Sequence, residues 1–245
     1  METTQLIILS SLICIAAILY SSVGHGGASG YIAIMALIGL SPALIKPTGL
    51  VLNILVSSIA AYRFYRKGSF NWNVFIPVTL FAMPFSFLGG FLSLSGSVYK
   101  IIAGIILVYA AFRFMVDQTA IEAPNKKMPL YNAAFFGSGI GFLSGLIGVG
   151  GGIFLSPLLL WKRWASMKET AGISALFILV NSISGLLGHI SNVKHLPDYL
   201  GFLVVAAAVG GLIGSKIGSE KASIPMIRKL LAVVIFIAGM KLIFL

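Results

Sequence analysis

Long apolar stretches separated by short polar ones run through the whole chain, at 6–23, 51–62, 74–94, 101–116, 133–147, 173–187, 200–213 and 230–245. Most approach the roughly 20 residues that a helix needs to cross the hydrocarbon layer of a bilayer. Two shorter apolar pieces, 31–40 and 153–161, each follow a glycine cluster. As helices they would reach only about 15 Å. A water-soluble fold cannot hide so many long apolar segments, so the pattern predicts an all-α polytopic membrane protein. The first stretch lacks the basic start of a secretion signal (Met1-Glu2-Thr3-Thr4) and a small-x-small cleavage site, so it reads as structure.

The pattern also repeats. Gly24-His25-Gly26-Gly27 returns as Gly148-Val149-Gly150-Gly151, and Ser57-Ser58-Ile59-Ala60 as Asn181-Ser182-Ile183-Ser184, both at an offset of 124. Gly89-Gly90-Phe91-Leu92 matches Gly210-Gly211-Leu212-Ile213 at 121, and Lys100 and Arg113 match Arg228 and Lys241 at 128. The order and near-constant offset of these weak matches point to a duplicated chain. Its parts are a first membrane repeat at 1–116, a linker at 117–128 and a second repeat at 129–245.

Charge then decides how each repeat is threaded. If the long arm before each glycine cluster and the short piece after it formed one span, the 17 basic residues would divide nine against eight across the membrane. If the short piece instead turns back, one side collects Arg63, Arg66, Lys67, Arg113, Lys126, Lys127, Lys162, Arg163, Lys168, Lys216, Lys221, Arg228 and Lys229. The other side keeps only Lys46, Lys100, Lys194 and Lys241. Thirteen against four is the asymmetry expected of a cytoplasmic face. The expectation is therefore two inverted repeats, each a re-entrant or broken-helix hairpin plus three transmembrane helices, with glycine tips approaching from opposite faces near mid-membrane.

Composition agrees: 58% of residues are hydrophobic and 9% charged, against about 25% charged in soluble domains. The net charge of +11 sits in the segments between apolar runs, which sets orientation and argues against a nucleic-acid surface. Cys14 is the only cysteine, so no internal disulfide forms, and neither a metal nor a cofactor is expected. His189 and His195 read as interfacial, and Trp72, Trp161, Trp164 and Tyr199 as interface anchors.

Irregular backbone inside a bilayer survives only where protein, water or ligand satisfies its polar groups. The glycine tracts, with Gly24, His25, Gly26, Gly27 and Ser29 in one half and Gly148, Gly150, Gly151 and Gly152 in the other, are accordingly candidates for substrate binding. A helix starting after each tract would present N–H donors and its positive dipole end to an anion, with Ser29 as a cap for the first. All six acidic residues (Glu2, Asp117, Glu122, Glu169, Asp198, Glu220) lie at or beyond span ends. A cation carrier usually keeps a carboxylate inside the membrane, so the expected partner is a small anion. Asn53 and Asn181, with Ser57 and Ser182 after them, are candidates to line the cavity or to bond between helices. His25 is the one titratable group at a tip and the candidate for proton coupling.

These residues resemble the sulfite exporter TauE/SafE family of membrane permeases. The strings concerned are Ser21-Ser22-Val23-Gly24-His25-Gly26-Gly27-Ala28-Ser29-Gly30-Tyr31 and Pro47-Thr48-Gly49-Leu50-Val51-Leu52-Asn53. In the second half they are Gly148-Val149-Gly150-Gly151-Gly152 through Pro157, and Ala171-Gly172-Ile173-Ser174-Ala175-Leu176-Phe177-Ile178-Leu179-Val180-Asn181-Ser182. Where many relatives have a Gly-Thr-Ser-like stretch, this chain reads Gly172-Ile173-Ser174, one hydroxyl fewer, with Ser174 as the remaining candidate. The resemblance implies transport of sulfite, sulfonates or related small sulfur-containing anions, generally by export across a bacterial inner membrane. A passive anion channel is the alternative. Absence of a His-Glu-x-x-His motif and of an acid within a span argues against an enzyme. The sequence leaves the oligomeric state open, a homodimer included.

Overall fold

A computed structural model describes residues 3–68, 70–115, 127–190, 193, 196–220 and 225–244. They form ten helices in two sets of five: α1 (Thr3–Ser21), α2 (Ala28–Ile38), α3 (Pro42–Arg66), α4 (Trp72–Phe91) and α5 (Gly96–Met115), then α6 (Leu130–Ile147), α7 (Gly152–Trp161), α8 (Met167–His189), α9 (Leu200–Glu220) and α10 (Pro225–Phe244). No strand occurs among the described residues. Among the described residues, six helices are long and apolar enough to cross a membrane: α1, α3, α4, α6, α8 and α9. Large apolar side chains such as Ile76, Leu80, Phe91, Ile105, Phe135, Phe202 and Ile237 are exposed on the outside. That is the surface a hydrocarbon solvent requires.

The short helices fold back on their arms. A Cβ on Gly30 of α2 would stand 2.8 Å from the Tyr20 ring and 3.4 Å from Ala16 of α1. In the second set, Gly151 ahead of α7 lies against Ile140 and Ser144 of α6, and Trp164 beyond it meets Phe136 near the start of α6. The reversals span 22–27 and 148–151. Both N-caps are glycines with left-handed backbone, Gly27 at φ 100° and Gly151 at φ 81°, conformations that a residue with a Cβ rarely adopts.

Corresponding helices of the two sets pair in opposite directions. Along α3 and α8, Asn53 meets Ser182, whereas the later residues Ala60, Ala61 and Phe64 pack with the earlier residue Ala175. Along α5 and α10, Gly104 lies against Gly239 and Ile243, and Gly239 against Val108. The arms instead run parallel to helices of the other set, along rows of glycines spaced by four. Gly137, Gly141 and Gly145 of α6 meet the backbone of Val78, Ala82 and Ser86 on α4, and Gly210, Gly214 and Gly218 of α9 meet that of Cys14 and Ile18 on α1 and of Ser22 just after it. Such small-residue spacing lets helix backbones approach closely where no hydrophobic effect drives association.

Three expectations change. Lys46 does not flank a span: it sits inside α3 with 4% of its surface exposed. The counting treated every basic residue as peripheral, and an amphipathic side chain with a long apolar stem can be buried to its head. His189 is buried at the end of α8, donating from Nδ1 to the Gly90 carbonyl at 3.2 Å, while His195 lies outside the described residues. Trp164 is 4% exposed within an apolar cluster, and only Trp72 and Trp161 are exposed as interface residues would be. Glu169 does lie at a span end, closing a capping box with Ser166 and accepting from Asn71 at 3.1 Å.

The glycine rows generate a stability contrast. A Cβ at position 145 would collide with the Ser86 carbonyl and come within 2.8 Å of the Gly90 nitrogen, whereas one at position 139 meets nothing within 4 Å. Gly145→Ala is expected to destabilise the protein by about 1–3 kcal/mol, and Gly139→Ala to leave it unchanged or slightly firmer. Thermal unfolding of the two variants in the same detergent checks the difference.

Candidate functional site

The two tips pass one another. The arms, about 28 and 27 Å long at 1.5 Å per residue, carry each tip beyond the middle of the long helices α3 and α8. Gly24 therefore reaches Ala171 near the start of α8, and Gly148 reaches Lys46 near the start of α3. Between these outer contacts, Gly26 and Gly150 both lie against Asn53 and Ile178.

Asn53 holds this crossing together. It is fully buried, and its Oδ1 accepts the Ala28 N–H at the start of α2, 3.2 Å away. Its Nδ2 donates to the Ser182 hydroxyl at 2.9 Å and, more loosely, to the Val149 carbonyl at 3.4 Å. One amide thus satisfies backbone groups of both hairpins and ties them to α8. Two tyrosines complete the backbone accounting: Tyr31 donates to the Gly26 carbonyl at 2.9 Å, and Tyr99 to the Ile147 carbonyl at 3.1 Å.

His25 makes the second link between the hairpins. Its Nδ1 faces the Val23 carbonyl at 3.1 Å, an acceptor only, so Nδ1 carries a hydrogen. In the neutral ring Nε2 is then an acceptor, and the Ser156 hydroxyl on α7, 3.2 Å away, donates to it. Ser156 in turn pairs with Ser174 of α8 at 2.7 Å. Protonation of His25 would put a hydrogen on Nε2 and reverse the donor order along this chain.

The structure brings Gly24, His25, Gly26, Gly27, Asn53, Gly148, Gly150, Gly151, Gly152, Ser174 and Ser182 into one crossing region. It separates three others from it. Ser29 caps nothing: Gly27 is the N-cap, and Ser29 donates to the Tyr20 hydroxyl at 2.9 Å. Ser57 bonds back to the Asn53 carbonyl on its own helix at 2.5 Å. Asn181 turns its Nδ2 to the Phe177 carbonyl at 2.9 Å, while its own carbonyl accepts from Ser86 at 2.8 Å. Its Oδ1 is buried without a partner. Sequence reasoning missed Ser156, Tyr31 and Tyr99; Ser156 was detectable as the only polar side chain in the apolar helix α7.

The family model for sulfite exporter TauE/SafE matches residues 9–242. The chain belongs to the sulfite exporter TauE/SafE family. A probable membrane transporter protein of Sinorhizobium fredii is 39% identical over 243 residues, 98% of each chain. One of Bacillus subtilis is 27% identical over 239 residues, covering 93% of this chain and 96% of its own. One of Methanocaldococcus jannaschii is 26% identical over 204 residues, covering 79% and 76%. No solved structure matches significantly. Membership in a family of membrane transporters, together with the six span-length apolar helices, makes this a multi-pass membrane protein.

The two asparagines should differ in consequence. Asn53→Ala leaves the Ala28 N–H and the Val149 carbonyl without their partner in a dry interior, and is expected to cost about 2–4 kcal/mol. Asn181→Ala removes one bond within its own helix and should cost about 1 kcal/mol. Unfolding in detergent measures both, and equal losses would remove the bridging role of Asn53.

Proposed function

We propose that this protein is a secondary transporter that exports a small anion, sulfite or a related sulfur-containing oxyanion, across the bacterial inner membrane by alternating access. The observation that carries this reading is the meeting of two oppositely directed broken helices on Asn53, between α3 and α8. Facing helix breaks joined at the centre of a bundle are a transporter arrangement, in which backbone freed from helical bonding meets the substrate. Buried carboxylates are absent among the described residues, and the donors at the crossing are neutral amides and hydroxyls, a set that favours an anion. The sulfur chemistry rests on the family name alone.

The transport cycle is read as follows. With the repeats inverted across the membrane and the thirteen-residue basic side in the cytoplasm, two units that each join helices of both repeats, α1 with α9 and α4 with α6, rock about the α3–α8 pair. Rocking exchanges the Asn53 bonds to the tips for bonds to the anion, first on one side and then on the other. Hairpin 1 (α1–α2) brings His25, whose protonation turns its Nε2 from acceptor to donor and reverses the bonds to Ser156 and Ser174, coupling proton movement to the link between the tips.

Three measurements test this. In proteoliposomes, radiolabelled sulfite should accumulate transiently against unlabelled sulfite inside, and flux should saturate; linear flux without counterflow would indicate a pore. His25→Gln should abolish acceleration by a pH gradient while leaving slower counterflow at equal pH, and an unchanged gradient response would exclude His25 from coupling. In a Cys14→Ser background, Lys67→Cys and Lys162→Cys should react with an impermeant maleimide from the same, cytoplasmic side. Labelling from opposite sides would overturn the inverted arrangement.

A further inference from the structure

Lys46 is a buried cation that the cycle above does not use. It lies in the second turn of α3, 4% exposed, and its Nζ donates to the Gly90 carbonyl at 3.3 Å. His189 donates to the same carbonyl from the opposite helix. No carboxylate pairs with Lys46 among the described residues. Its charge is eased only by the carbonyl ends of two helices, since Gly90 is near the end of α4 and His189 ends α8. A helix terminus carries about half an elementary charge, which tolerates an ammonium without the full neutralisation that a carboxylate would give.

The position of Lys46 is as informative as its charge. Its stem lies against the second tip, its Cγ 3.2 Å from where a Cβ on Gly148 would stand. The Ser144 hydroxyl on the arm of the same hairpin is fully buried and has no hydrogen-bond partner. Along the α3–α8 pair the order is then His25 with Ser156 and Ser174, next Asn53 with Ser182, and finally Gly148 with Lys46. Asn53 stands between ionisable groups, His25 on one side and Lys46 with His189 on the other. Gly24, which matches Gly148 at the offset of 124, meets uncharged Ala171 instead, and the residue that matches Lys46 at that offset is the uncharged Thr170. Polarity along the path is therefore built in.

We propose that Lys46 is an anion-binding station on the external side of Asn53, which receives the small oxyanion after it leaves the tips and before release. This rests on the transporter reading above and on its external placement of the start of α3. Ammonium charge supplies the attraction, and His189 holds the Gly90 carbonyl so that Nζ can leave it for the ligand.

Radiolabelled sulfite counterflow in right-side-out and inverted vesicles tests this, with half-saturation measured separately on each face. Lys46→Gln keeps a donor for Gly90 but drops the charge; Lys46→Arg keeps the charge. The Gln variant should raise external half-saturation at least tenfold and leave the cytoplasmic value within threefold, while the Arg variant stays within threefold on both faces. A Gln variant with the wild-type external value, or an equal rise on both faces, would show that Lys46 only ties α4 in place. Should the Gln variant fail to fold, the Arg variant decides: an external rise of tenfold or more despite retained charge overturns the proposal, and a near-wild-type value supports it. Absence of any saturable sulfite flux in the wild-type protein would instead refute the transporter reading itself.

Discussion

The side-chain amide of Asn53 is the contact on which the rest of the interior depends. In hydrocarbon, each backbone N–H or carbonyl left without a partner costs several kcal/mol, and two chain reversals create such groups in the middle of the bundle. Asn53 answers one group from each reversal and reaches a hydroxyl on α8 as well. Only a primary amide does this, because it offers one acceptor and two donors in a plane. Tyr31 and Tyr99 then satisfy the carbonyls that Asn53 does not reach. The glycines make room: at positions 26 and 150 a Cβ would occupy the place of the amide itself.

Much of this was legible in the chain, because the bilayer restricts what a sequence can do. Length of apolar runs gave the helices, and the consecutive glycines of the two tracts gave the breaks. Asn53 stood out as an amide in an otherwise apolar run. What could not be read was direction around each helix axis. Asn181 looked equivalent to Asn53, yet a one-turn displacement turns it to its own helix and to Ser86. Lys46 looked peripheral because a charge ordinarily is, and only the two helix ends around it show how it is held. Ser29 sits two residues past the N-cap position of α2, too deep to act as a cap. The four-residue glycine spacing on α6 and α9 was present in the letters, but its meaning depends on which helix faces it.

The two sets of five helices share a backbone plan and differ in chemistry. Each tip opens with a glycine against the early part of a long helix of the other set, yet one meets Ala171 and the other Lys46. One tip carries His25 and the other Val149 at the matching place. Backbone geometry is over-determined by glycine contacts and by the shared amide, so it tolerates little change. Side chains pointing along the path are free of that constraint. Two sets of helices with one backbone plan can therefore present different side chains at matching places.

The glycine rows have an effect on what can move. Because α6 is pressed onto α4 and α1 onto α9 at backbone contact, each arm is fastened to a helix encoded in the opposite part of the chain. Rigid units in this molecule are consequently woven from both ends of the polypeptide. A fragment comprising residues 1–116 alone would carry α1 without the grooved face of α9 and α4 without that of α6, leaving two long surfaces matched to nothing. Neither portion is a self-sufficient building block, and severing the segment between them would yield pieces that must find each other in the lipid before either can close.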